Sequence, residues 1–140
     1  MITVETSYLK GPQLSWAVAK ALKYEVHITE KSGAPRREVL LKGLSVPFHP
    51  WGDWAVGGGI VESHRITILH TNSTPSHWYA ILAPSQPTRE VYGRRDQSRG
   101  EAYIVSPRHG EYGPTPLIAA MRCLVSRLLG PAVEVPEELA

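Results

Sequence analysis

Hydrophobic positions along the chain fall into two helical arcs and several short alternating runs. At about 100° per residue, Leu14, Ala17, Val18, Ala21 and Leu22 gather on one face of a helix over Pro12–Leu22, opened by Gly11-Pro12. Trp16 falls nearly opposite that stripe, beside Gln13 and Lys20, so it either packs under a neighbouring strand or loop or faces a ligand. Tyr24, Val26 and Ile28 then alternate with Glu25, His27 and Thr29, the period of a half-buried strand. Ser32–Pro35 reads as a turn and Arg37–Lys42 as the return strand of a hairpin, with His27 on its polar face.

The second arc is stronger. Leu117, Ile118, Met121, Leu124, Val125, Leu128 and Leu129 share one side of a helix from Thr115 or Pro116 to Leu129. Thr115 caps it, Pro116 takes the first helical position, and Gly130-Pro131 stops it. Ala119, Ala120 and Cys123 form a second strip of small residues against which another element would approach closely. Between the two helices, Ile66–Leu69 and Trp78–Leu82 read as strands around a turn at Asn72–Ser76. Ala102–Ser106 reads as a further short strand, and the tail VEVPEEL adds an extended segment.

Two stretches break the periodicity. Pro47–Gly59, PFHPWGDWAVGGG, holds two prolines, four glycines and two tryptophans in thirteen residues and reads as an aromatic-rich loop. Helix propensity recovers only weakly after it, at Ile60–His64. Pro84–Glu101 is polar and turn-rich and reads as a long mobile surface loop. Together these elements predict an α+β fold: a small, mainly antiparallel sheet with two principal helices packed on one face, in a single domain over residues 1–140.

Composition narrows the functional classes. The 140 residues are 42% hydrophobic and 20% charged with a formal net charge of +2, the balance of a soluble globular chain. The charge is scattered: four arginines against three acids in Pro84–Glu101 leave +1 and no basic arm. Nucleic acid is therefore not the favoured partner, although the pI of about 8.8 keeps a nucleic-acid-associated factor among the alternatives. One cysteine excludes an internal disulfide framework and a zinc site built mainly from thiolates. The first ten residues carry Glu5 and lack an apolar core, so they do not read as a signal peptide. The longest uncharged run, the 23 residues Ile66–Thr88, is broken by three prolines and many polar residues and does not read as a membrane span. The expected compartment is the cytoplasm.

Candidate chemistry is sparse. His64, His70 and His77 lack the spacing of a helical zinc pair, no HExxH is present, and neither a metal nor a cofactor is expected. Mid-helix Cys123 reads as a packed thiol, remote from any helix N-terminus that would activate it. Glu62 and His64 share a face only if their segment is extended. The glycines at 57–59 suit either a turn with positive φ or an anion cradle at a helix start. Trp51, Trp54 and Trp78, three of the four tryptophans, form either a stacking platform or a satellite core under a loop.

LSWAVAKA, GDWAVGGGIVESHRI, the following WYA, and PTPLIAAMRCLVSRLLG with VEVPEEL resemble a family of small phage and prophage proteins known as NinX-like. Order and spacing match over most of the chain, apart from Arg37–Val46 and Pro84–Glu101. The resemblance implies an intracellular protein of a bacterial mobile element and implies no reaction.

The expected function is a non-enzymatic accessory binding protein that engages a small, nucleotide-like ligand or a host protein. Its expected site combines Trp51, Asp53, Trp54, Gly57, Gly58, Trp78, Thr115 and Arg122. In it the rings stack, the glycine amides and Arg122 meet an anionic group, and Asp53 orients the loop. The enzymatic alternative is a small hydrolase or transferase using His64 with Glu62 or Asp53. A further alternative is self-association through the Ala119–Cys123 strip.

Overall fold

The computed structural model describes residues 1–30, 37–71, 78–82 and 110–140. Within them the order is β1 (Ile2–Glu5), a 3-10 turn at Thr6–Tyr8, α1 (Gly11–Ala21), β2 (Val26–Glu30), β3 (Arg37–Leu41), α2 (Trp54–His64), β4 (Ile66–His70), β5 (Trp78–Leu82), β6 (Gly110–Gly113), α3 (Pro116–Leu129), β7 (Ala132–Val135) and a 3-10 turn at Glu137–Leu139. The expected mobile loop at Pro84–Glu101, the strand at Ala102–Ser106 and the turns at Ser32–Pro35 and Asn72–Ser76 lie outside the described residues.

The fold is α+β with antiparallel pairing throughout the described strands. The expected single sheet is instead three small ones among those residues: β1 with β7, β2 with β3, and β4–β5–β6. The hairpin expected near residues 24–42 is β2–β3, paired Val26 to Leu41 and Glu30 to Arg37. The strands around Asn72–Ser76 are β4 and β5, with Ile66 opposite Leu82.

Helix α3 is the hub. Its Leu117, Met121, Leu124 and Val125 are buried, and so is the small-residue strip Ala119, Ala120 and Cys123. That strip receives β6: a Cβ on Gly113 would come 2.5 Å from the Ala119 amide nitrogen, so only a glycine lets the backbones approach. The strip therefore serves internal packing and is not available for self-association. Thr115 accepts the Ile118 N–H at 3.2 Å, and Gly130 at φ +99° ends the helix, both as its sequence predicts. Leu128 and Leu129, at the end of the predicted arc, are exposed among the described residues.

Helix α2 departs further from the sequence reading. It begins at Trp54, inside the stretch that reads as loop, and contains all three glycines in right-handed helical geometry. Two features outweigh the poor propensity. The Asp53 carboxylate accepts the Ala55 N–H at 2.9 Å, capping the first turn. Gly57 is buried where a Cβ would overlap the Pro50 carbonyl and press on Leu117, so the helix docks through that missing side chain.

Candidate functional site

The eight expected site residues are spread over several locations. Trp51 lies against α1, where its indole N–H donates to the buried Ser15 hydroxyl at 2.7 Å. Its ring is tilted against His49, with centroids 5.2 Å apart. Trp54 opens α2 and is 58% exposed. Trp78 opens β5 and sits edge-on to His70, centroids 4.9 Å apart. No ring contact joins the three tryptophans among the described residues, so the stacking platform is not assembled from them.

The polar members have structural partners. Asp53 and Thr115 cap α2 and α3. The Gly57 N–H donates to the Asp53 carbonyl at 2.7 Å, an intrahelical bond that removes it from any anion cradle. Positive φ is absent at Gly57 and Gly58 too; a close approach explains the first, while a Cβ on the second would meet only ordinary contact. Arg122 is a staple: its Nε donates to the Leu9 carbonyl at 2.9 Å and its Nη1 to the Tyr112 carbonyl at 3.0 Å. Burial lowers the pKa of this guanidinium and raises that of neighbouring Glu111, which the Ser126 hydroxyl and Arg122 partly hold down.

The residues of the enzymatic alternative are also apart. In a helix Glu62 and His64 diverge by roughly 200°, and Glu62 is exposed whereas His64 faces an apolar groove. Asp53 sits at the opposite end of α2, about 16 Å away along the axis. Cys123 is buried, and burial pushes its thiol up to about 12.

Trp51 instead borders a groove of about 640 Å³, in the size range of small-molecule sites. Its walls come from the start of α1 (Lys10, Gly11, Pro12 and Gln13), from Arg37 on β3, from Ile118 on α3, and from Glu138 and Leu139 in the last 3-10 turn. Lys10, at the N-cap of α1, offers no capping side chain, and no acid lies in the helix's first turn. The positive end of the α1 dipole therefore has no counter-charge within its own first turn, and the acid at the same groove is Glu138. Lys10 itself has no ion pair among the described residues, whereas Arg37 contacts both Glu30 and Glu138. Sequence reading found Trp51 here but missed Lys10 and Arg37. Their convergence requires the β2–β3 hairpin to fold back towards α1, and no local periodicity signals it.

A second groove, of about 370 Å³, is apolar and lies between α2 and the hairpin. Leu22, Tyr24, Leu41, Phe48, Val56 and His64 line it. Trp16 is half-buried beside the core with the Lys20 ammonium 4.4 Å above its ring, and it also lines an open groove with Met1, Ile28 and Pro136.

No helix of the described residues is long and apolar enough to cross a membrane. No curated protein gives a significant match to the chain. The family model for NinX of bacteriophage P22 matches residues 5–127, from the end of β1 into the last turns of α3. The chain belongs to the phage P22 NinX family.

Proposed function

We propose that this phage protein is a non-enzymatic accessory binding protein, working in the host cytoplasm, whose ligand is small, anionic and nucleotide-like. The supporting observation is the groove beside Trp51, where an indole locked by Ser15 adjoins Lys10, Arg37 and the N-terminus of α1, whose first turn carries no acid. A planar group packs against the indole, and an anionic group meets the two cations and the first-turn amides. This site keeps Trp51 from the sequence expectation and replaces the glycine amides and Arg122 with Lys10 and Arg37.

Tryptophan fluorescence and thermal shift across the nucleoside monophosphates and cyclic nucleotides test the reading. At least one is expected to change the emission and raise the melting temperature, and Lys10→Ala is expected to weaken it by about tenfold, roughly 1.4 kcal/mol. A flat response across the panel removes the small-ligand reading.

Exposure favours a second reading, engagement of a host protein. Leu44 is 55% and Val46 68% exposed on the loop that follows Leu41, and Tyr24 and Val56 are exposed at the apolar groove. Exposed apolar side chains mark association surfaces where they are contiguous, and of these four Tyr24 and Val56 share the groove. A host protein that copurifies with the wild type, binds it as a purified pair and is lost on Val46→Asp supports this reading. A purified pair indifferent to Val46→Asp opposes it.

A further inference from the structure

We infer that the Arg37–Glu138 ion pair selects the ligand of the Trp51 groove, admitting a phosphate-bearing molecule and discriminating against its neutral, dephosphorylated counterpart. The inference rests on the groove being the ligand site, and it names the chemistry that site requires.

Arg37 presents a planar fork already occupied on both sides. Nη2 contacts Glu30 Oε1 at 2.9 Å, and Nη1 donates to Glu138 Oε2 at 3.1 Å. The two carboxylates differ in kind. Glu30 is the cross-strand partner of Arg37 in the β2–β3 register and is fixed by the hairpin itself. Glu138 comes from the C-terminal 3-10 turn, 101 residues away in sequence, and only it lines the groove together with Arg37. Glu30 therefore orients the guanidinium, while Glu138 holds the position that an incoming anion needs.

Charge gives the selectivity. The side chains of Lys10 and Arg37 contribute +2 and those of Glu30 and Glu138 contribute −2, and Ala140 also lines the groove, so the resting cluster carries no excess positive charge. A neutral ligand has nothing to exchange for the Glu138 carboxylate and enters a groove still narrowed by that side chain. A phosphate replaces it at Arg37 with a multiply charged oxygen acceptor that suits the guanidinium fork, and Lys10 stands at the same groove. Releasing Glu138 costs little, because both partners are partly exposed, at 38% and 47%. The side chain moves into water when the ligand enters.

Calorimetric titration of the full-length protein tests this, with the tightest-binding nucleoside monophosphate, its parent nucleoside and inorganic phosphate as probes. The wild type is expected to bind the monophosphate at least tenfold more tightly than the nucleoside. Glu138→Gln keeps the shape but removes the competing charge, and is expected to tighten the monophosphate by about three- to tenfold and the nucleoside by less than twofold. Arg37→Gln is expected to bring the monophosphate down to the nucleoside's affinity, with the melting temperature reporting that the variant is folded. Equal wild-type affinities for monophosphate and nucleoside overturn the inference together with the anionic part of the ligand reading, whereas an unchanged monophosphate affinity in Glu138→Gln overturns the inference alone. Failure of the wild type to bind any probe overturns both.

Discussion

Arg122 shows how a side chain with the chemistry of a site can be held by the fold. Its guanidinium ties the Leu9 and Tyr112 carbonyls to the middle of α3, joining the chain before α1 to β6. Arg122→Met preserves much of the buried stem but strands two carbonyls. It is expected to cost about 1–3 kcal/mol in chemical denaturation and to leave ligand affinity within twofold. Ser15 carries the opposite lesson, since it is buried and polar and its hydroxyl receives the Trp51 indole. Ser15→Ala is expected to cost about 1 kcal/mol and to shift tryptophan emission. Cys123 tests burial alone. With its thiol raised from 9.0 to about 12, the native protein is expected to resist a thiolate-specific reagent at pH 8 and react only on unfolding. The linkage sign follows: the contribution is complete below about pH 9, where neither state ionises, and is lost as pH rises towards 12 while the unfolded thiol releases its proton first.

At the scale of elements, α2 is the test, because its three glycines have unequal reasons. Gly57 fills a space that a methyl would take from Pro50 and Leu117, whereas a Cβ on Gly59 meets nothing within 4 Å. Gly57→Ala is expected to destabilise by about 1–3 kcal/mol through overpacking. Gly59→Ala is expected to stabilise by about 0.5–1 kcal/mol through helix propensity, so thermal melts of the two variants move in opposite directions. Equal shifts would contradict the docking of α2 through Gly57. This helix also marks the limit of sequence legibility. The ends of α1 and α3 were readable because Pro12, Thr115, Pro116 and Gly130 carry local signals that tertiary packing leaves intact. The start of α2 was hidden because its cap and its glycine contact act against the low propensity of WAVGGG, and the contact with Pro50 exists only once the chain has folded. Strand β6 was hidden in the same way. Gly110 and Gly113 weaken its strand pattern, yet each is where Ala80 or Ala119 backbone approaches.

For the whole molecule, α3 packs against the β4–β5–β6 sheet, β7 and the two other helices, while the β2–β3 hairpin rests on α1, and the grooves form where those parts meet. Local sequence supplied Trp51 as a site residue, but its companions Lys10, Arg37 and Glu138 are brought together from positions spread across the chain. Membership in the P22 NinX family places the protein among phage functions without assigning a reaction, so the account depends on whether this groove is occupied in solution. The most direct measurement is amide and indole chemical-shift mapping of the isotope-labelled protein during titration with the nucleoside monophosphates. The account predicts saturable shifts at the Trp51 indole N–H and the Gly11 and Gln13 amides, around the 640 Å³ groove. No saturable shift, or shifts confined to the apolar groove of Tyr24, Phe48 and Val56, would contradict it.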